Sequence, residues 1–110
     1  MSKPGVGNPE FGSDWMSYEL DFLDEALKEW RKLDSNTRKQ FSRKLAERCE
    51  NPHIPSARLH GAINVYKIKL RSVGYRLVYE VLEREIIVLV IAVGRRDRAD
   101  FYPTAIKRSQ

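Results

Sequence analysis

The run IIVLVIAV, Ile86–Val93, is apolar at every position and constrains the chain more than any other stretch. It is far short of the ~20 residues a membrane-spanning helix needs. It also lacks the polar stripe of an amphipathic helix. A β-strand buried on both faces accounts for it, entered from a turn at Glu83-Arg84 and running over Glu85–Val93. Such a strand has to be central to its sheet, so the rest of the chain must supply neighbours on its edges and layers on its faces.

The neighbours lie just upstream, in VYKIKLRSVGYRLVYEV, Val65–Val81. Tyr66, Ile68 and Leu70, then Tyr75, Leu77, Tyr79 and Val81, alternate with polar positions at strand period. The segment RSVG, with Gly74, is a short turn between strands Val65–Leu70 and Tyr75–Leu82. Closing the hairpin there sets Leu70 against Tyr75, Ile68 against Leu77 and Tyr66 against Tyr79. The same register sets Lys69 opposite Arg76, with Lys67 and Arg71 flanking.

Further upstream, SYELDF (Ser17–Phe22) alternates Tyr18, Leu20 and Phe22 as a short strand would. LDEALKEWRKL places Leu23, Ala26, Leu27, Trp30 and Leu33 at helical spacing. Asp34-Ser35 offers a stop and an N-cap for a second helix over about Asn36–Cys49, with Phe41, Leu45 and Cys49 on one face. Two prolines in NPHIP make Asn51–Pro55 an irregular connection. After the central strand comes GRRDRADFYPTAIKRSQ, a polar turn and then a short helical tail. There Pro103 biases Tyr102 away from the helical region and suits a first helical turn. The expected order is β-α-α-β-β-β-α, an α+β domain in which a small antiparallel meander packs against two N-terminal helices.

A chain of 110 residues carries one such domain. Residues 1–15, MSKPGVGNPEFGSDW, are rich in Gly, Pro, Ser and Asn without periodicity, and a second Met follows at position 16. They read as a disordered expression-vector leader, leaving a single domain over 16–110. Lys and Arg number 20 against 15 Asp and Glu, a net of +5. Without Lys3, Glu10 and Asp14 the balance is 19 against 13, a net of +6. That favours a polyanionic partner over an acidic or neutral one. The single Cys49 forms no intramolecular disulfide and fits a structural thiol rather than a nucleophile. No membrane association is expected, and the location expected is cytoplasmic.

Directly opposed cations on a sheet face repel. Lys69 and Arg76 either splay into solvent or face an absent anion, and the hairpin alone does not decide between these. Arg95, Arg96 and Arg98 emerge where the buried strand ends, and Tyr102 follows within one short segment. Separately these residues are ordinary. Together, hairpin cations, an arginine cluster and a phenol are what metal-free phosphodiester chemistry uses, since guanidinium groups fork onto phosphate oxygens and lysine supplies a point charge. His53 and His60 lie too close together in the connecting region to serve as an acid–base pair spanning a site. Asp97 and Asp100 are the only local carboxylates there. They read as charges at a helix N-terminus or as arginine partners, so no metal site and no cofactor is expected. Neither a phosphate-cradling glycine loop nor a Ser/His/Asp set is present.

YKIKLRSVGYRLVYEV, VGRRDRADFY and LDFLDEALKEWRKL closely resemble the RelE family of bacterial toxins from type II toxin–antitoxin systems. The resemblance runs from about Met16 to the C-terminus and implies a RelE-like, microbial-RNase-type fold. It implies a ribosome-dependent endoribonuclease that enters the ribosomal (30S) A site and cuts the mRNA codon there, inhibiting translation and growth. The family's catalytic set falls on Lys67, Lys69, Arg76, Arg96 and Tyr102. By that likeness Tyr102 is the general base toward a 2′-OH, Arg76 and Arg96 stabilise the charged phosphorane, and Lys67 and Lys69 hold the phosphate. Lys69 is the expected acid toward the leaving oxygen, and Arg71 a bystander.

Arg38, Lys39, Arg43, Lys44 and Arg48 of the second helix, with Arg95 and Arg98, are candidate contacts to RNA or plainly solvated cations. Some relatives carry an Arg where this chain has His60, which puts RNA contacts at that point in doubt. A RelB-like antitoxin is the implied partner, with operator DNA bound only through the toxin–antitoxin complex. The rival readings are a gyrase-poisoning toxin of the related ParE branch and a non-enzymatic nucleic-acid-binding module. The latter would not require Tyr102.

Overall fold

The computed structural model describes residues 17–109. The leader assigned to residues 1–15 lies outside them. The elements are β1 (Glu19–Phe22), α1 (Asp24–Arg31), α2 (Ser35–Glu50), a 3-10 turn (Pro55–Ala57), β2 (Val65–Leu70), β3 (Tyr75–Leu82), β4 (Ile87–Arg95) and α3 (Phe101–Arg108). The order is the expected β-α-α-β-β-β-α. The four strands form one sheet in the order β1-β4-β3-β2, so the wholly apolar strand is interior. β2, β3 and β4 make the antiparallel meander, while β1 joins parallel to β4 from Glu19↔Ile87 to Phe22↔Val90. The hairpin register is the one that the turn and alternation dictate, with Leu70↔Tyr75, Lys69↔Arg76, Ile68↔Leu77 and Tyr66↔Tyr79.

Each face of the sheet carries its own layer. Ala26 and Leu33 with Phe41 and Leu45 of α2 pack on Tyr66, Ile68, Leu77, Tyr79, Val88 and Val90. On the opposite face Phe101 and Ala105 of α3, with Leu59, cover Val65, Val78, Leu89, Ile91 and Ala92. A bulge opposite Val78/Tyr79 gives β4 one extra residue, which sends Ile91 and Ala92 both toward α3. The second helix is capped by Asp34, whose carboxylate accepts from the Thr37 amide at 3.3 Å.

Three expectations are corrected. The β3–β4 turn takes the four residues Glu83–Ile86, and β4 runs over Ile87–Arg95 rather than Glu85–Val93. Ile86 stands in the turn with φ 58° and is 45% exposed, while Gly94 and Arg95 still pair with Arg76 and Tyr75. Of the alternating set, Tyr18, just before β1, and Phe22 pack on the core; Leu20 is 41% exposed on this marginal strand, with neighbours along one flank only. Tyr102 is helical, in the first turn of α3. Pro103 sits where its missing N–H would have had no intrahelical partner, so the helix accommodates both.

β4 outruns β1, and side chains finish its edge. The Val93 amide donates to Glu29 Oε1 at 2.9 Å, and the Ile91 carbonyl accepts from the Arg108 guanidinium at 2.9 Å. Arg108 and Glu29 close on each other through two 3.0 Å contacts. This clasp joins α1, β4 and the end of α3, and no local pattern announces it.

Candidate active site

The site begins with the pleat of the hairpin. Lys67, Lys69 and Arg76 leave the sheet on the α3 face, and Lys69 and Arg76 are direct cross-strand partners. The next position across the sheet from Arg76 is Gly94. An added Cβ there would meet two ring atoms of Phe101 at 3.1 Å, so the bare glycine is the seat of that ring. Seated there, Phe101 starts α3 and brings Tyr102 over the hairpin. Arg76 donates to the Tyr102 hydroxyl at 2.9 Å, its guanidinium carbon 5.5 Å from the ring centroid. Lys67 Nζ stands 6.0 Å from the same centroid.

Arg96 arrives by a separate device. Gly74, at φ 70° in the hairpin turn, presents its carbonyl to the Arg96 amide at 2.9 Å. The loop after β4 is thereby pinned to the hairpin tip. There Lys69, Arg71, Tyr75, Arg76 and Arg96 line a recess of about 220 Å³. Lys67 foremost, then Arg76 and Arg71, hold the Lys69 ammonium below the ordinary lysine range. All five residues of the expected catalytic set therefore share one face. Arg76 is common to both groups, meeting Tyr102 with Lys67 and lining the recess with Lys69 and Arg96. Arg71, expected as a bystander, is part of the recess wall.

The outer cations divide. Arg38, Lys39 and Arg43 line a separate open recess of about 480 Å³ with Trp30, Ser35 and Ser42. Those residues and the exposed Lys44 belong to the helical layer on the other face of the sheet, so they do not join the face that carries Arg76 and Tyr102. Arg38 also donates to the Leu33 carbonyl. Arg48 is structural in its contacts, donating to the Tyr79 hydroxyl at 2.8 Å and to the Lys67 carbonyl at 3.3 Å. Arg95 stacks on Tyr75 at 5.8 Å and lies 3.5 Å from Asp97, while Arg98 binds Asp100 at 3.0 Å. Of the two readings of Asp97 and Asp100, the structure has them as arginine partners; Asp100 makes no side-chain cap to α3.

His53 is committed elsewhere. It pairs with Glu83, which also accepts from Tyr18 at 3.0 Å. Its ring meets Tyr18 and Tyr66 edge-on. His60 instead lines a second cationic recess, with Arg58 and Lys67. Cys49 is partly buried, and burial pushes its thiol up to about 11, which keeps it protonated at neutral pH and fits a structural thiol. Among the described residues no group of three or more His, Cys, Asp or Glu gathers in metal-binding fashion.

Chemically, the face offers a phenol held by one guanidinium, a second guanidinium across a recess, and two ammonium groups. That arrangement grips a phosphodiester and stabilises negative charge developing on it.

The family model described as the ParE toxin of the type II toxin–antitoxin system parDE matches residues 20–100. The mRNA interferase toxin RelE of Escherichia coli K12 is 53% identical over 93 residues, 84% of this chain and 98% of that relative. The free E. coli toxin RelE bearing two arginine-to-alanine substitutions superposes with a TM-score of 0.80 at 49% identity, covering 86% of this chain and 100% of that one. The intact E. coli RelBE toxin–antitoxin complex contains a chain matched with a TM-score of 0.72 at 52% identity, covering 74% and 100%.

Proposed function

The chain belongs to the RelE/ParE superfamily of type II toxins, and from that membership we propose that it is the toxin of a toxin–antitoxin module, a metal-independent endoribonuclease that cleaves translated mRNA in the ribosomal A site. The observation that carries the reading is the Arg76–Tyr102 hydrogen bond of 2.9 Å beside the Lys69/Arg96 recess. A plain phosphate-binding surface has no use for a phenol so placed.

In the proposed reaction Tyr102 takes the proton from a nucleotide 2′-OH. The oxygen attacks the adjacent phosphorus, and the bond to the 5′-oxygen breaks. The products are a 2′,3′-cyclic phosphate and a free 5′-OH. Arg76 is placed to hold both the phenolate and a phosphorane oxygen, while Arg96 reaches the phosphorane from the hairpin tip. Lys67 holds the phosphate. Lys69 delivers a proton to the leaving 5′-oxygen, a role supported by the lowered affinity for its proton among Lys67, Arg76 and Arg71. The partners are the ribosome with its mRNA, and a RelB-like antitoxin through which operator DNA is reached. The workplace is the cytoplasm.

The ParE description of the matching family model raises gyrase poisoning as the second reading. The relatives at half identity, named mRNA interferases, and the assembled cation–phenol set favour the nuclease. Expression without antitoxin followed by mapping of mRNA ends separates the two. Cuts confined to translated frames support the nuclease; intact mRNA with broken DNA supports gyrase. Tyr102→Phe is expected to relieve growth arrest and slow cleavage about 100-fold or more. Parental cutting by that variant would remove Tyr102 from the mechanism.

A further inference from the structure

Lys69 is exposed near the hairpin tip and surrounded by charges of its own sign. Arg76 is its direct cross-strand partner, and Lys67 lies two residues away on the same face of β2. Arg71 and Arg96 stand with it in the recess of about 220 Å³. No carboxylate lines that recess, and the acids of the loop after β4 are taken, Asp97 by Arg95 at 3.5 Å and Asp100 by Arg98 at 3.0 Å. A guanidinium keeps its charge at any physiological pH, so the crowding is relieved only where an amine sheds a proton. Lys67 has a reason to keep its own, the Tyr102 ring centroid 6.0 Å away. Among the described residues nothing comparable favours the Lys69 ammonium; Lys67 foremost, then Arg76 and Arg71, act against it.

The recess therefore sets two kinds of group side by side. Arg76 and Arg96 are forks for a phosphate, and Lys69 is an accessible amine activated by neighbouring cations, which makes it a nucleophile toward activated carbonyls. We infer that this recess is also a modification site, in which a small acyl phosphate is held by its phosphate and transfers its acyl group to Lys69 Nζ. The neutral amine attacks the acyl carbon and a carbon–nitrogen bond forms. The bond from that carbon to the phosphate oxygen breaks, and inorganic phosphate leaves with the electron pair and takes up the proton the nitrogen gives up. The amide that remains carries no charge, so the repulsion across the Lys69–Arg76 pair ends. It also has no proton to deliver to a leaving 5′-oxygen, so the modified protein is silenced. The silencing, though not the modification, rests on the ribonuclease reading above.

Treating the full chain with acetyl phosphate, without ribosome or RNA, and reading the modified residues by peptide mass mapping tests the inference. Lys69 should be acetylated about tenfold or more faster than the exposed Lys28, Lys39 and Lys107. Inorganic phosphate should suppress that excess by competing for the same forks. N-acetoxysuccinimide, an acetyl donor without a phosphate, should favour Lys69 much less. Arg96 is not among the groups that lower the affinity of Lys69 for its proton, so Arg96→Ala isolates the grip. In that variant the acetyl phosphate rate at Lys69 should fall about tenfold, the loss of one charged contact, with the N-acetoxysuccinimide rate unchanged. Lys67→Gln favours the protonated amine and should slow both donors at Lys69. Melting curves show whether each variant is folded, and phosphate competition on the parent keeps the test open should one fail to fold. Acetylation of Lys69 at the rate of the other lysines overturns the site. An excess that is equal for both donors and indifferent to phosphate overturns it too, by leaving a reactive amine without a grip. Protein acetylated at Lys69 should cut translated mRNA about 100-fold more slowly than the parent. A parent that never cuts refutes the ribonuclease reading alone, because the modification is read by mass.

Discussion

Replacing Arg108 with alanine tests how α3, and with it Tyr102, is held to the rest of the molecule. The substitution removes two 3.0 Å contacts to Glu29 and one of 2.9 Å to the Ile91 carbonyl. It leaves Glu29 with the Val93 amide alone. Breaking a fully buried pair from one side costs about 3–5 kcal/mol. Here the side chains are 19% and 20% exposed, and water can reach the stranded carboxylate. About 2–3 kcal/mol is the expected loss. Glu29→Ala should cost about the same, since it strands Val93 N–H at the sheet edge as well as Arg108. Because the two substitutions break the same clasp, the double variant should lose clearly less than their sum, with a coupling of about 1.5–2 kcal/mol. Urea unfolding of the four proteins measures it, and Glu29→Gln, which keeps an acceptor for Val93, should fall between parent and Glu29→Ala. A coupling below about 0.5 kcal/mol would show that the clasp is an ordinary surface pair and that α3 is held by Phe101 and Ala105 alone.

Ile86→Asn should stabilise the protein by about 1 kcal/mol, raising the melting temperature by about 4–8 °C, because a β-branched residue at φ 58° is strained and this one is half out in solvent. An unchanged melting temperature refutes the strain. Cys49 should react with a disulfide reagent at pH ~8 only as fast as the protein opens, and at full speed in denaturant. Its thiol holds its proton to about 11 when folded against 9.0 for an unperturbed thiol. The unfolded chain releases that proton first, so stability falls as pH rises from 9.0 toward about 11. Cys49→Ala should flatten that alkaline limb, and an identical limb in the variant contradicts the assignment. Glu83 is held below the ordinary carboxylate range by His53 first and then Tyr18. Its contribution is present above the unfolded value of 4.5 and is lost on acidification through the lower folded value. Glu83→Gln should therefore show a shallower acid limb in pH-dependent melting, and an unchanged limb would exclude it.

Much of this architecture is legible in the chain because two signals are local and strong. The RSVG turn and the alternation around it fix one register, and a one-residue slip would throw Tyr66, Ile68 and Leu77 to the other face. The unbroken apolarity of Val88–Val93 demands cover on both faces. What escapes the sequence has no local signature. Ile86 is as apolar as its neighbours, yet the turn claims it. Glu29 and Arg108 are 79 positions apart and read as solvated helix charges. The proposed catalytic set was read by likeness to a family rather than from spacing. Its assembly depends on Gly74 and Gly94, whose roles appear only once Arg96 and Phe101 lie against them. Arg71 looked idle from its place in the turn because recess walls are a property of three dimensions.

The seat of Phe101 on Gly94 also bears on how such a protein can lose its potency. Most routes to a harmless variant would strip a cation and loosen the hold on RNA. A side chain at position 94 works through volume alone, since even one carbon would crowd the Phe101 ring at 3.1 Å. Bulkier substitutions would lift α3 and draw the phenol away from Arg76, while Lys67, Lys69 and Arg96 kept their places. With Tyr102 in the role proposed for it, the outcome would be a molecule that still occupies its substrate but no longer cuts it. In a cell carrying both forms, such a variant would act as a competitor of the active one, protecting its host by getting in the way.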